Sequence, residues 1–320
     1  MTAGRRLDVP NRAGAAGFGL DIRTAIATWP YIMREARIPE SVTDAPVHLI
    51  DGVVDGGVDL HLFREGDPVS SYLARGMLWH PPIVKVLAQM MKPGKVFVDV
   101  GAHIGLFSII AAKAAAGGGR IVSFEPDPVN RAVLTMNART NGVDLDIRDC
   151  AIAAEAGEAT LFTSEDNRAI HSIVPEPRLE PSGLVQTSTL ERELDGLDRL
   201  DLIKLDVQGA EPDIVAGIGD LLFRFDRAPI VIMEVNPRGW VQRDPNMEAL
   251  RAFLGRYRYD MHVLVASEGM RLVPPALTWN TFVAICNDFI RHGSGVDDLD
   301  VVLWPPARNA RPAEAQRAPG

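Results

Sequence analysis

A strand, a glycine-containing turn and the start of a helix follow one another without a break in residues 96–105, which read Val-Phe-Val-Asp-Val-Gly-Ala-His-Ile-Gly. Gly101 and Gly105 permit a tight turn in which the backbone can closely approach a ligand. Further along, Ile121-Val-Ser-Phe-Glu125 is a second strand that ends on a carboxylate. In doubly wound α/β sheets this combination binds an adenosine, because the carboxylate accepts hydrogen bonds from the ribose hydroxyls.

The spacing of the glycines indicates the kind of ligand. Gly101 and Gly105 form a G-x-x-x-G pattern, and Asp99 comes just before the turn. Both features disfavour a pyrophosphate, which binds to a closer glycine pattern and is repelled by a nearby carboxylate. Both are compatible with a cationic nucleoside that carries a free amino group, such as S-adenosyl-L-methionine (SAM). The turn therefore predicts a SAM site rather than a dinucleotide site.

The predicted SAM contacts lie at the ends of three strands. Asp99 is expected to bind the amino group of the methionine moiety, directly or through water, with capping of the turn amides as the alternative. Asp149 is placed to accept from the adenine amino group, and the backbone of Cys150 or Ala151 is the alternative. The residues predicted to contact the cofactor are Asp99, Gly101, Ala102, Gly105, Glu125 and Asp149.

From Lys95 onward, strand patterns alternate with helical patterns, which predicts a mostly parallel, doubly wound α/β sheet with helices on both faces. The seven predicted strands are Val96–Val100, Arg120–Phe124, Leu145–Asp149, Leu202–Asp206, Ile230–Val235, Asp260–Val265 and Thr281–Cys286. The predicted helices are Gly105–Ala115, Pro128–Asn141, Thr189–Leu194, Glu211–Leu222 and Asn246–Arg256, and a hairpin is expected at Glu158–Phe162. This pattern suits the Rossmann-like methyltransferase variant of the sheet, in which the final strand inserts antiparallel.

Composition divides the chain into four parts. Residues 1–21 and 305–320, rich in Ala and Arg with Gly or Pro, are expected to lack fixed structure. Residues 22–92 are expected to pack on the main domain, with a helix near Ile22–Glu35 and short strands within Val47–Phe63. Pro93-Gly94 then begins the SAM-binding domain, which is expected to span residues 93–304.

Several short motifs occur in order along about two thirds of the chain. They are Lys92-Pro-Gly94, Val98-Asp-Val-Gly-Ala-His-Ile-Gly105, Phe124-Glu-Pro-Asp-Pro128, Asn130, Asn137, Asn141, Ile203-Lys-Leu-Asp-Val-Gln-Gly-Ala-Glu211 and Met233-Glu-Val235. In this order and at these spacings the chain resembles the FkbM family of SAM-dependent methyltransferases. Gln208 departs from the pattern, since similar proteins often have an acid there. The resemblance implies O-methylation of natural products, or of sugars on glycoconjugates.

Methyl transfer to a hydroxyl requires an aligned acceptor, exclusion of water and a base that takes the hydroxyl proton. Lys204 and Asp206 share one face at the end of the fourth strand, and Glu234 lies near the end of the next. A lysine in a buried strand must be paired, so we interpret these residues as a polar cluster beneath the acceptor, with a structural ion pair as the alternative. His103 in the turn is the second candidate base, with a stacking or capping role as its alternative. The candidate catalytic residues are Asp206, Lys204, Glu234 and His103.

Other residues were weighed for roles at the acceptor. The stretch Ser164–Thr187 is typical of a lid loop, in which Asn167 and Ser172 are candidates to contact the acceptor and His171 is expected at the surface. The tryptophans are candidates for an acceptor wall, with core packing as the alternative: Trp79, Trp240 and Trp279. The remaining histidines show no metal-ligand spacing and receive no role: His48, His61, His80, His262 and His292. No metal is predicted.

The composition limits the partners. With 33 basic and 42 acidic residues the formal net charge is −9, which argues against binding to nucleic acid or to anionic membranes. No apolar run approaches the roughly 18 residues of a membrane span, and none follows Arg5 and Arg6 as in a secretory signal. Cys150 and Cys286 are expected to be unpaired thiols, so we expect a cytoplasmic protein.

The predicted function is O-methylation of a hydroxyl on a small molecule or glycan. An N-methyltransferase acting on RNA or protein is the first alternative. It is weakened because Asp206-Val-Gln-Gly follows the fourth strand in place of an Asn/Asp-Pro-Pro-aromatic signature. The glycine spacing disfavours a nicotinamide dehydrogenase, and a non-catalytic SAM-binding module is the last alternative.

Overall fold

Strands and helices alternate through most of the chain in a computed structural model that describes residues 40–49, 53–264, 276–292 and 299–306. The strands are β1 (Val47–Leu49), β2 (Val58–Leu60), β3 (Val96–Val100), β4 (Arg120–Phe124), β5 (Asp146–Arg148), β6 (Ala151–Ile152), β7 (Gly157–Thr163), β8 (Glu180–Ser188), β9 (Leu202–Leu205), β10 (Ile230–Val235), β11 (Asp260–Val263) and β12 (Leu299–Trp304). The helices are α1 (Pro68–Ala74), α2 (Pro81–Met90), α3 (Leu106–Ala114), α4 (Pro128–Thr140), α5 (Leu190–Glu193), α6 (Glu211–Gly217), α7 (Pro237–Arg243), α8 (Glu248–Tyr257) and α9 (Trp279–His292). The predicted helix Ile22–Glu35 and the terminal residues 1–21 and 307–320 lie outside the described residues.

The central sheet has the strand order β11-β12-β10-β9-β3-β4-β5. Strands β10, β9, β3, β4 and β5 run parallel, and β12 is antiparallel to both of its neighbours. The chain leaves β3 toward β4 and β5 on one side and returns on the other side through β9 and β10. The strand order therefore reverses between β3 and β9, and ligands of open α/β sheets bind at the carboxyl edge of such a point. The predicted doubly wound sheet is confirmed.

One predicted strand is wrong. Thr281–Cys286 lies within α9, and the seventh strand is β12. Phe282 and Cys286 are buried one helical turn apart, and the hydroxyl of Thr278 accepts a hydrogen bond from Thr281 N at 3.2 Å, which caps the helix start. The antiparallel insertion predicted for the final strand is present, and β12 forms it.

A second sheet, of order β6-β8-β7, stands beside the central one. The hairpin prediction at Glu158–Phe162 corresponds to β7, which pairs antiparallel with β8. The interpretation of Ser164–Thr187 as a loop is therefore wrong from Glu180 onward, where β8 begins. The remaining residues, 164–179, contain a short 3₁₀ turn at Arg168–Ile170 and contribute to the cavity described below.

Two asparagine amides attach β2 to the main domain. Asn137 in α4 accepts from His61 N at 2.7 Å and donates to His61 O at 3.2 Å and to Ile104 O at 2.9 Å. Asn141, one helical turn later, accepts from Asp59 N at 3.0 Å and donates to Asp59 O at 2.7 Å. Each amide thus reproduces the paired backbone contacts that a neighbouring strand would make. The N-terminal segment is fixed to the helix that follows β4.

Side chains alternate between the two faces of the sheet. Val98 joins the apolar group on the face beside α6 and α8, whereas Phe97 joins the group beside α2 and α3. Asp99 is on the same face as Phe97, and its register partner on β9 is Lys204. Both ionisable residues are buried, so the strand ends bring an unusual charge pair into the sheet. Among the described residues, no helix is long and apolar enough to cross a membrane.

Candidate active site

Two glycines shape the turn between β3 and α3. Gly101 has φ +82°, and a Cβ added there would lie 1.8 Å from the carbonyl oxygen of Asp206 in the loop after β9. Gly105 has φ +90° and directly precedes α3. The amides of Gly101 and Ala102 both donate to the carbonyl of Phe124 at 3.0 Å. The turn therefore joins β3, β4 and the loop after β9 at one point, and Gly101 and Ala102 line the cavity.

Glu125 follows β4, lines the cavity and is only 5% exposed. Its Oε2 accepts from His103 N at 2.8 Å, and its Oε1 accepts from Asp127 N at 3.0 Å. Each oxygen retains further lone-pair capacity for a ligand. Burial raises the pKa of Glu125 to about 7, and the neighbouring Asp127 charge adds to the rise. The ribose contact stays a prediction, and the position of the carboxylate is compatible with it.

The cavity wall near the end of β5 differs from the expected one. Cys150 and Ala151 line the cavity, whereas Asp149 is not among the lining residues. The backbone of Cys150 or Ala151, the alternative considered from the sequence, is therefore better placed for an adenine than the Asp149 carboxylate.

Lys204 is the cation at the centre of the site. Its Nζ donates to Asp206 Oδ2 at 2.8 Å and lies 3.8 Å from Asp99 Oδ1 and 5.1 Å from the centre of the Phe107 ring. Burial alone would lower the pKa of Lys204, but the carboxylates of Asp206 and Asp99 raise it to about 12. Burial would likewise raise the pKa of Asp206, yet the Lys204 ammonium and its hydrogen bonds hold that pKa at about 2. The Lys204–Asp206 pair is therefore ionised at neutral pH.

Asp99 lies behind this pair rather than on the cavity wall. It is completely buried, its Oδ2 accepts from Ser108 Oγ at 2.6 Å, and burial raises its pKa. Asp99 is not among the residues that line the cavity, so the direct contact with a ligand amino group expected from the sequence is not available here. It acts on the cavity through Lys204.

Gln208 connects Asp206 to Glu234, which completes the predicted polar cluster. Its Nε2 donates to Asp206 Oδ1 at 2.8 Å and to Glu234 Oε2 at 2.5 Å, with φ +55° at its backbone. The departure from the family pattern has a physical reason, because an acid at this position would add a third negative charge beside Asp206 and Glu234. An amide instead donates to both carboxylates.

His80, which the sequence analysis left without a role, forms part of the same cavity together with Trp79. His80 Nδ1 lies 2.5 Å from Asp300 Oδ2, and the β10–β12 register places Asp300 opposite Glu234. Burial would lower the pKa of His80, but the hydrogen bond to Asp300 and the charge of Asp300 produce a net rise. The only local sign in the sequence was a histidine directly before Pro81-Pro82, at a helix start. The other two tryptophans are in the core: Trp240 is buried and Trp279 packs against the same apolar group.

Two further histidines lie near Glu125. His103 Nε2 lies 3.4 Å from Asp67 Oδ1, and burial lowers the pKa of His103. His171 Nδ1 lies 3.3 Å from Asp127 Oδ2, and the His171 side chain is 5% exposed, so the expected surface position is wrong. Both rings contribute to the cavity wall. His103 therefore contacts Glu125 through its backbone amide and Asp67 through its ring.

Most of these groups border one cavity of about 390 Å³ at the carboxyl edge of the sheet. Its lining residues do not include Asp67, Asp99, Gly105, Asp127, Asp149 or Asp300. The turn residues and Glu125 form one end, and Lys204, Asp206, Gln208, Glu234 and His80 form the other. Residues 167–173 border it from the side, where Ser172 Oγ donates to Gln208 O at 2.7 Å. Asn167 and Ser172 line the cavity, and their contact with an acceptor stays a prediction.

The charges around the cavity fit a cationic nucleoside. At the Lys204 end the three carboxylates of Asp206, Glu234 and Asp300 outnumber the Lys204 ammonium and the His80 ring together, so the local field favours a positively charged group. At the other end Glu125 faces the cavity with capacity for hydroxyl donors. Within the described residues, no group of three or more His, Cys, Asp or Glu side chains is arranged to hold a metal.

The sheet order, the antiparallel seventh strand, the glycine turn and the acid after β4 together define a class I SAM-dependent methyltransferase. A comparison with protein families agrees, since the family described as "Methyltransferase FkbM domain" matches residues 99–261, half of the chain. The chain belongs to the FkbM methyltransferase family, and its cofactor is SAM.

Curated relatives are similar at a modest level. The 31-O-demethyl-FK506 methyltransferase FkbM of Streptomyces tacrolimicus is 27% identical over 221 residues, which cover 59% of this chain and 77% of that protein. Methyltransferase sdnD of Sordaria araneosa is 28% identical over 186 residues, covering 48% of this chain and 70% of that one.

Among solved structures, M. jannaschii TYW2 in complex with AdoMet is 13% identical with a TM-score of 0.40, covering 82% of this chain and 86% of that one. The T. thermophilus 16S rRNA N2 G1207 methyltransferase RsmC, solved with AdoMet and guanosine, is 11% identical with a TM-score of 0.42, covering 83% of this chain and 51% of that one. Likenesses of this size add nothing to the assignment of an acceptor.

Proposed function

We propose that the protein transfers the methyl group of SAM to a hydroxyl group of a small-molecule or glycan acceptor. The observation that carries this proposal is a cavity that extends from the glycine turn and Glu125 to a second end with an aromatic wall and proton-exchanging groups. Trp79 and His80 form part of that second end, beside the Lys204–Asp206 pair. A hydroxyl nucleophile needs such proton-accepting groups, because its proton must leave as the carbon–oxygen bond forms.

The residues at the two ends of the cavity have separate tasks. Gly101, Ala102, Glu125 and the backbone at Cys150 would hold the nucleoside, and the surplus carboxylates near Lys204 would face its cationic part. When bound, SAM supplies an electrophilic methyl group on a sulfonium. Asp206, whose oxygens are fixed by Lys204 and Gln208, is oriented to accept a hydrogen bond from the acceptor and so to align it.

The acceptor class is inferred from the side chains that line the cavity near Trp79 and His80 and from the name of one relative. The printed name of the Streptomyces relative, 31-O-demethyl-FK506 methyltransferase, describes methylation at an oxygen of a natural product. An aromatic wall next to hydrogen-bonding carboxylates suits a hydroxylated ring. The acidic net charge of −9 supports an acceptor other than nucleic acid. A cytoplasmic setting, expected from the two unpaired and buried cysteines, stays a prediction.

The test is transfer of label from methyl-tritiated SAM to a panel of acceptors. The panel contains a macrolide with a free secondary hydroxyl, methyl glycosides, total transfer RNA and an unstructured peptide. A labelled ether that survives alkali, formed on the macrolide or a glycoside, is the expected result. Label on a nitrogen of RNA or peptide would establish the N-methyltransferase alternative instead. SAM binding measured by calorimetry without any labelled product would favour a non-catalytic binding module.

A further inference from the structure

We propose that His80 is the general base of the reaction and that Asp300 orients it. This inference rests on the proposed hydroxyl methylation and adds the residue that takes the proton. Neither residue belongs to the glycine turn or to the Lys204 cluster, and they come from opposite ends of the described chain.

The pair is assembled by two elements that meet at the acceptor end of the cavity. His80 directly precedes α2 with φ +44°, and its Nδ1 lies 2.5 Å from Asp300 Oδ2. Asp300 is the second residue of β12, and the antiparallel insertion of this strand sets it opposite Glu234. Because Nδ1 is engaged by a carboxylate, the ring carries its proton there and Nε2 is the proton acceptor. A histidine oriented by a carboxylate is the usual arrangement of a base that acts on a hydroxyl.

The other titratable groups near the acceptor are less suited to hold a proton. Asp206 is paired with Lys204, and its pKa of about 2 makes it a very weak base. Glu234 shares the amide of Gln208 with Asp206. His103 lies near Glu125, which its backbone amide binds, and its ring faces Asp67.

The proposed step balances in charge and atoms. The acceptor O–H bond breaks and its proton moves to His80 Nε2, while the oxygen forms a bond to the methyl carbon. The bond between that carbon and sulfur breaks, and its electron pair remains on sulfur, so the sulfonium becomes a neutral thioether. His80 becomes an imidazolium beside the Asp300 carboxylate, and it returns the proton to solvent after the methylated product leaves.

The charges that act on His80 come from two strands. Asp300 on β12 and Asp206 after β9 favour the protonated ring, whereas Lys204 on β9 disfavours it. The net effect raises the pKa of His80 above 6.5, so a higher pH is needed to form the neutral ring than for an ordinary histidine. The rate of methyl transfer is therefore expected to rise with pH along the titration curve of His80.

The test compares the variant His80→Asn with a control variant at a second histidine–aspartate pair. Asparagine tolerates the left-handed backbone at this position and cannot accept a proton at neutral pH. The control is His48→Asn on β1, because His48 Nδ1 contacts Asp59 at 2.7 Å in a similar pair that does not border the cavity. Three quantities are measured: the single-turnover rate against pH on the methylated macrolide or glycoside, SAM affinity by calorimetry, and the pKa of His80 by ¹H–¹⁵N NMR of the full chain.

His80→Asn is expected to lower the rate by about 10²–10⁴-fold and to abolish the rise with pH. SAM affinity should stay within threefold, and His48→Asn should behave as the wild type. A rate within a few fold of wild type for His80→Asn overturns the proposal. If His80→Asn folds poorly, the variant Asp300→Asn tests the proposal instead. The proposal requires that Asp300→Asn lower both the pKa of His80 measured by NMR and the midpoint of the pH–rate profile. A midpoint that does not shift with the pKa of His80 refutes the proposal. A wild-type protein that binds SAM but methylates no hydroxyl refutes the proposed function itself, before any His80 variant is made.

Discussion

The glycine at position 101 permits a sharp prediction, because the chain contains a nearly identical control. Gly101 has φ +82° and Gly94 has φ +81°, so alanine at either position is forced into the same left-handed backbone. A Cβ at Gly94 would meet no atom within 4 Å, whereas a Cβ at Gly101 would lie 1.8 Å from Asp206 O. The comparison of Gly101→Ala with Gly94→Ala therefore isolates the energetic effect of the close contact between the turn after β3 and the loop after β9.

The magnitudes follow from these two terms. The left-handed backbone costs alanine about 1–2 kcal/mol in the free energy of folding, and this term is common to both variants. Gly101→Ala must in addition move the Asp206 carbonyl by about 1.5 Å to reach an ordinary carbon–oxygen contact. Overpacking of this kind costs about 1–3 kcal/mol more. The displaced residue is the partner of Lys204, so SAM affinity is expected to fall by more than about tenfold, or ~1.4 kcal/mol.

Thermal unfolding and SAM calorimetry on both purified variants measure these effects. The melting temperature of Gly101→Ala should lie several degrees below that of Gly94→Ala, at about 2–4 °C per kcal/mol for a large domain. Gly94→Ala should bind SAM with wild-type affinity. If the two variants melt together and bind SAM equally, the close approach between the turn and the loop after β9 has no energetic role, and the reasoning is refuted.

Three other outcomes are expected. Glu125→Ala should weaken SAM binding in calorimetry by about 1–3 kcal/mol. It should also lower the melting temperature, because the amides of His103 and Asp127 lose their acceptor. Unchanged SAM affinity would contradict the ribose contact. Lys204→Met should destabilise the protein by about 3–5 kcal/mol in urea unfolding, since Asp206 and Asp99 lose their cation. The control Lys95→Met, at a partly exposed pair with Asp201, should cost at most about 1 kcal/mol. Equal losses would show that burial of the ion pair does not matter. Burial raises the pKa of Glu211 from 4.5 to about 7, so the stability gained from the bound proton is present in full below pH 4.5 and is lost as the pH rises through about 7. Glu211→Gln should therefore flatten the fall in melting temperature between about pH 5 and pH 8. An unchanged slope would contradict the shifted pKa.

The sequence predicts the features that depend on local pattern and on strand order. The structure has the predicted alternation of strands and helices after Lys95, the turn at Gly101 and the position of Glu125 after the second strand. These features could be predicted because a buried parallel strand appears in the sequence as a continuous apolar run. The pairing of Lys204 with Asp206 also followed from the rule that a buried lysine must find a carboxylate.

The errors arise where tertiary contacts decide. Thr281–Cys286 has the β-branched and aromatic residues of a strand, but packing of Phe282 and Cys286 on one side selects a helix. His80 carried no pattern of its own, because its partner Asp300 is 220 residues away and meets it only through the inserted strand. His171 was expected in solvent for the same reason, since nothing near it in sequence predicts its contact with Asp127.

The asparagine amides of α4 have a consequence for how this protein can change. Asn137 and Asn141 bind only backbone atoms of residues 59 and 61, so these particular contacts do not depend on which side chains stand at the two positions. Asn137 also binds the carbonyl of Ile104, within the turn that receives the cofactor. The segment that carries Trp79 and His80 is docked in a second way, by the buried apolar side chains of α2 that pack with those of α3. New acceptor preferences can therefore arise by mutation of the residues of this segment that line the cavity, such as Trp79, whereas its buried apolar face must be kept for the half that binds SAM to stay intact.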